Sequence, residues 1–165
     1  MIIRKPQKSD WLSFGEMQKE LDSETKFMMY EPGERPTGED VFCGMLDWFE
    51  RSGSYMLIAM DGGKMVGVIA AERGGFKRTH HVASVSTGVL MSYRRRGIGS
   101  RFFAEIEKWA RENGVTRLEL NVMCHNENAI ALYKKSGFEI EGKRTHAMKV
   151  DGNYVDEYYM AKILD

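Results

Sequence analysis

Between an apolar, β-rich run at residues 85–91 and a strongly helical run at 100–113, the chain reads Arg94-Arg95-Arg96-Gly97-Ile98-Gly99. A glycine-bearing turn from strand into helix leaves backbone N–H groups unpaired and clear of side-chain bulk. These groups sit at the positive end of the helix dipole, the arrangement by which a chain without a metal holds a phosphate or pyrophosphate. The spacing is not the dinucleotide fingerprint, because G-x-G-x-x-G needs a third glycine where this chain has Phe102. No Gly-Lys-Ser/Thr follows, so it is not a Walker loop either. A solvated arginine run ahead of an ordinary helix is the plainer alternative.

A second block lies one helix and one strand downstream: Asn126-Glu-Asn-Ala129-Ile-Ala-Leu132-Tyr133-Lys-Lys-Ser-Gly137-Phe138. Asn126 is a good N-cap, Ala129, Leu132 and Tyr133 share one helical face, and Gly137 suits a left-handed C-terminal stop. Together the two blocks resemble the GNAT superfamily of N-acetyltransferases. Arg94, Gly97 and Gly99 match its R/Q-x-x-G-x-G/A signature, and residues 126–138 match its N-x-x-A-x-x-L-Y-x-x-x-G-F segment. The resemblance extends over nearly the whole chain and implies a mixed α/β sheet flanked by helices, splayed between its fourth and fifth strands.

The element pattern agrees. Residues 2–4 read as a strand. A helix follows, carrying Trp11, Phe14, Gln18 and Leu21 behind Ser9 or Asp10, and then a long loop over 22–36. Thr37-Gly-Glu-Asp40 opens a second helix with Val41, Met45, Leu46, Trp48 and Phe49 as its apolar face. Runs at 55–60 and 65–71 form a hairpin through Asp61-Gly-Gly-Lys64, and 81–91 is the next strand. Ile98, Phe102, Ile106, Trp109 and Ala110 give a buried helical stripe that ends at Asn113-Gly114. Leu118, Leu120 and Val122 alternate as a strand. After the helix of the second block come strands at about 138–150 and 154–163, joined through Asp151-Gly152-Asn153. The order is β-α-α-β-β-β-α-β-α-β-β, one domain over 1–165.

The 165 residues suffice for one domain with a core, and 24 basic against 24 acidic residues argue against a nucleic-acid or membrane partner. Cys43 and Cys124 make neither a disulfide framework nor a metal-ligand spacing, and no run approaches membrane-spanning length. These features predict a soluble cytoplasmic protein without a metal. A homodimer is left open.

The resemblance implies acetyl-CoA as cosubstrate and acetyl transfer to a primary amine of a small molecule or a protein N-terminus, by direct attack on the thioester. It implies that Val89, Leu90 and Met91 present backbone groups to the pantetheine arm, one of them serving the oxyanion. Arg94, Arg95, Arg96, Gly97, Ile98, Gly99 and Ser100 would cradle the pyrophosphate, and Asn126 and Ala129 would meet the arm from its other side. Tyr133 matches the family tyrosine that protonates the leaving thiolate; its alternative is a tyrosine packed between helix and sheet. In the ribosomal-protein branch of the superfamily a strand glutamate serves as base, and here that position is Asn121, which cannot take a proton and is left to acceptor binding. The base is therefore open between His81 and a water relay through Glu31 or Glu34. A non-catalytic acyl-CoA-binding module is the alternative that this gap keeps open.

Residues 22–40 hold six acids against two bases, beside Phe27, Met28, Met29 and Tyr30. The expectation is an acidic, partly apolar flap in which Glu31, Glu34 and Tyr30 draw in a cationic amine. A solvated loop is the other reading.

Overall fold

The computed structural model describes residues 1–165. In chain order the elements are β1 (Ile2–Arg4), α1 (Trp11–Glu24), α2 (Glu39–Ser52), β2 (Tyr55–Asp61), β3 (Lys64–Arg73), β4 (Val82–Val89), α3 (Ile98–Glu112), β5 (Arg117–Met123), α4 (Glu127–Lys135), β6 (Glu139–Val150) and β7 (Asn153–Ile163). Short 3-10 turns at Lys8–Asp10 and Met91–Tyr93 precede α1 and follow β4. The order expected from the sequence is the order observed. No helix is long and apolar enough to cross a membrane.

All seven strands join one sheet in the order β1-β2-β3-β4-β5-β7-β6. Every neighbouring pair is antiparallel except β4 and β5, which run parallel and pair only over Val82–Ser84 against Arg117–Glu119. Beyond Ser84 the two strands diverge, so the middle of the sheet opens as a wedge.

Helices cover both faces. A Cβ on Gly67 of β3 would stand 3.4 Å from Phe102 of α3, while one on Gly88 of β4 would stand 2.4 Å from Leu21 of α1. α3 therefore packs on one face and α1 on the other. The β2–β3 hairpin reads as near-continuous apolar runs because it is covered on both sides, with Ile58, Ala59, Val66, Ile69 and Ala71 fully buried. The α3 stripe Phe102, Ile106 and Ala110 is fully buried against it, each large side chain contributing about 1.5–3 kcal/mol.

Three sequence expectations shift. α1 runs on to Glu24, so Asp22 and Glu24 are helical and the loop begins at Thr25. α2 buries Phe42 and Phe49, two turns apart, whereas Val41 and Trp48 of the expected apolar face are exposed. β4 is shorter at both ends than 81–91: the His81 carbonyl accepts from the Thr116 and Arg117 N–H groups, and residues 91–93 coil into a turn.

Candidate active site

The wedge between β4 and β5 opens into a cleft of about 1470 Å³. Along an antiparallel ladder, backbone groups point alternately to one neighbour and the other. The Gly74 N–H donates to the Val82 carbonyl and the Leu90 N–H to the Val66 carbonyl, so even-numbered residues of β4 face β3. The backbones of Val85, Thr87 and Val89 then face the gap, where β5 no longer pairs with them. This corrects part of the sequence reading: of Val89, Leu90 and Met91, only Val89 offers its backbone. Leu90 is fully buried with its N–H bound to Val66, and the Met91 N–H donates to the Glu24 carboxylate at 2.8 Å. The Val89 carbonyl accepts from Arg94 Nε at 3.1 Å, which leaves its N–H as the group to aim into the gap.

At the end of β4 the chain turns through Arg95 (φ +61) and Gly97 (φ +78), both left-handed. A non-glycine residue held there costs of order 1 kcal/mol or more, a strain of the kind that collects at functional sites. α3 begins without a side-chain cap, so the N–H groups of Ile98, Gly99 and Ser100 have no partner from a capping side chain. Those three residues line the cleft with Arg94, Arg95 and Gly97. Arg96 does not: its guanidinium stacks on Tyr93 at 4.8 Å and lies 3.9 Å from Asp61. The two glycines serve different ends. Gly97 has open space around it and is needed for its backbone angle, whereas a Cβ on Gly99 would come within 2.7 Å of Leu132 of α4.

α4 supplies the far wall. The Asn126 side-chain Oδ1 caps it by accepting from the Ala129 N–H at 3.3 Å. Asn126, Asn128, Ala129, Leu132 and Tyr133 line the cleft; the sequence points to Leu132 only as part of the helical face, and not to Asn128. Tyr133 is 9% exposed, walled by Phe103 and Phe138 at ring separations of 5.5 and 6.3 Å. That burial pushes its phenol up to about 12, so it stays protonated.

On the α1–α2 face, the loop contributes Phe27, Met28, Met29, Tyr30 and Arg35 to the wall, joined by Trp11, Phe14, Val41, Met45 and Trp48. The half-exposed Val41 and Trp48 thus border the cleft. Glu31 and Glu34 do not: both are exposed, and the Glu34 carboxylate caps the Glu31 N–H at 2.9 Å. Two acids of the expected negative flap are also already engaged. Asp22 accepts two hydrogen bonds from Arg35, at 2.7 and 2.8 Å, Arg35 stacks on Tyr30 at 4.5 Å, and Glu24 holds Met91. His81 lies at the paired end of the wedge, three residues before the strands part, and is outside the cleft. Asn121 is in it.

The structure adds polar groups that the sequence reading missed. Glu72, Glu157, Arg144, Lys149 and Gln18 all line the cleft. Glu157 and Gln18 are buried, and Gln18 Oε1 has no hydrogen-bond partner.

Comparison with known proteins agrees with this geometry. The acetyltransferase (GNAT) family profile matches residues 16–138. The L-amino acid N-acetyltransferase AaaT of Escherichia coli (strain K12) is 36% identical over 118 residues, spanning 69% of this chain and 71% of that protein. An acetyltransferase of the GNAT family from Streptococcus pneumoniae superposes with a TM-score of 0.93 at 25% identity, over 99% of both chains. The structure of yncA from Salmonella typhimurium, solved with its cofactor acetyl-CoA, superposes with a TM-score of 0.88 at 18% identity, over 99% of this chain and 94% of that one.

Proposed function

Because the chain belongs to the acetyltransferase (GNAT) family, we propose that it moves an acetyl group from acetyl-CoA to the primary amine of a small molecule or peptide N-terminus, an amino acid being the favoured acceptor. The observation that carries this is the wedge itself: one gap brings together the free Val89 N–H, the uncapped start of α3 and Tyr133. Ile98, Gly99 and Ser100, with Arg94 and Arg95, would hold the pyrophosphate, and the backbones of Val85, Thr87 and Val89 would pair with the pantetheine as a strand would. Bound there, acetyl-CoA supplies an acyl carbon activated as a thioester.

The Val89 N–H faces the position where negative charge develops on the carbonyl oxygen. Tyr133 holds the proton that the leaving sulfur needs. A phenol near 12 is a weak donor toward a thiol of about 8.5, but the apolar surroundings that raise one raise the other. On the acceptor side Arg144 and Lys149 border the cleft and suit the carboxylate of an amino acid. The α-amine of a peptide N-terminus, near 8, costs under about 1 kcal/mol to neutralise at pH 7.4, against roughly 4 for a lysine-like amine, and the more basic α-amine of a free amino acid falls between the two.

The test pairs binding with turnover. Acetyl-CoA at a hundred times its dissociation constant raises stability by about 2.7 kcal/mol, read as a shift in melting temperature. Gly97→Val removes the shift by forbidding the left-handed backbone. Thiol release then depends on added amino acids. A folded protein with no shift overturns the assignment; a shift without amine-dependent thiol release assigns the chain to acyl-CoA binding without turnover.

A further inference from the structure

Glu157 of β7 is a buried carboxylate, 8% exposed, in a wall of the cleft. Buried acids are ordinarily held by close ion pairs and hydrogen bonds. Asp22, the other buried acid, has two hydrogen bonds from Arg35. Glu157 has only the Arg144 guanidinium, at 3.7 Å, beyond hydrogen-bond reach.

Register places it at the reacting level. Ser84 of β4 pairs with Glu119 of β5, and continuing that parallel step sets Gly88 level with Met123. Met123 pairs directly with Glu157, and Asn121 with Tyr159. Residues opposite one another in an antiparallel pair point to the same face, so Glu157 shares the acceptor face with Asn121, on the neighbouring strand and one diagonal step away. It stands level with the end of β4, where the Val89 N–H enters the gap.

Resting on the acetyltransferase reading above, we propose that Glu157 is the catalytic base, binding the acceptor amine and taking its proton. The acceptor enters as an ammonium and gives its first proton to the Glu157 carboxylate, directly or through one water, and that proton passes to solvent. The free amine nitrogen bonds to the thioester carbonyl carbon and gives its second proton to the same carboxylate; the carbon–sulfur bond breaks, the sulfur takes the Tyr133 proton, and the proton on Glu157 returns through water to the Tyr133 oxygen. The strand carboxylate absent at Asn121 is thereby supplied from the adjacent strand.

Two other features of the same cleft agree. Gln18 Oε1, buried in the same cleft without a partner, calls for a ligand that brings N–H donors. The other charged groups on the acceptor side of the cleft are Arg144 and Lys149 of β6, Arg35 of the loop, which is paired with Asp22, and Glu72 of β3; β5 contributes none. The two cations of β6 favour an acceptor amine that gives up its proton.

Glu157→Gln keeps the shape and removes the base. At pH 7 its kcat/KM for the best amino acid falls about 10²-fold, while the acetyl-CoA melting shift stays as in the parent. The deficit shrinks as pH rises through the amine's own ionisation, because free amine no longer needs the carboxylate for its first proton. Glu157→Asp recovers part of the rate. Parent-level turnover in Glu157→Gln at pH 7 overturns the proposal, as does a deficit equal at every pH, which would mark a purely structural role. Absence of amine-dependent turnover in the parent instead overturns the acetyltransferase reading, and this one with it.

Discussion

The two walls of the cleft are built on opposite plans. The cofactor wall is local: the turn at 94–97, the first residues of α3 and the first two turns of α4 take their shape from short, continuous stretches of chain. Its devices are the left-handed Arg95 and Gly97, an uncapped helix start and the Asn126 cap. The acceptor wall is assembled from afar. Asp22 meets Arg35, Glu24 meets Met91, Lys26 meets Asp151, Phe27 lies against His125 at 5.1 Å, and Arg144 faces Glu157. A local wall can hold one invariant ligand. A wall of distant pairings can be retuned one contact at a time, which suits the partner that varies among enzymes of one fold.

The largest expected effect tests whether the acceptor wall depends on those pairings. Arg35→Ala strands the Asp22 carboxylate, whose side chain is 2% exposed, and is expected to cost about 3–5 kcal/mol in chemical denaturation. A loss below about 1 kcal/mol would mean that the loop is held by other contacts and that the contrast between the walls is overdrawn.

Tyr133→Phe probes the local wall and is expected to act on rate alone. The ring keeps its place beside Phe103, so melting temperature and acetyl-CoA affinity hold, while kcat falls about 10²-fold. An unchanged kcat would give the thiolate's proton to water or to another group.

The smallest effect falls on the exposed clasp between loop and hairpin. Lys26→Ala or Asp151→Ala is expected to cost less than about 1 kcal/mol, and high salt should erase the difference. A double-mutant cycle separates the pair from its surroundings. A coupling well above that would make the clasp a structural strut.

The same contrast decides what could be read from the sequence. Gly97, Gly99, Asn126, Ala129 and Tyr133 are legible because they fall in two short, continuous motifs, although Gly99 and Tyr133 each meet a residue of the other helix, Leu132 and Phe103. Arg96 was miscounted because a run of three arginines does not say which one turns toward Tyr93 and Asp61. A count of the acids of residues 22–40 carries no partners and no positions: it does not say that Asp22 is taken by Arg35, thirteen residues on, or that Glu31 and Glu34 stand outside the cleft. His81 fell out of the site because register sets the paired end of the wedge at Val82–Ser84. Glu157 carried no one-dimensional signal. Its place depends on pairing with Met123, more than thirty residues earlier, and on which side of Ser84 the sheet opens.

Gly97 and Gly99 lie two positions apart, yet their tolerance to change belongs to different categories. The demand at 97 is a property of that site alone: its left-handed backbone is strained for most side chains wherever the rest of the molecule mutates, and asparagine is the mildest departure. The demand at 99 belongs to a pair, because the obstacle is the end of the Leu132 side chain. A smaller residue at 132 makes room for alanine at 99, so the second half of the signature can drift in concert with α4 while the first half cannot.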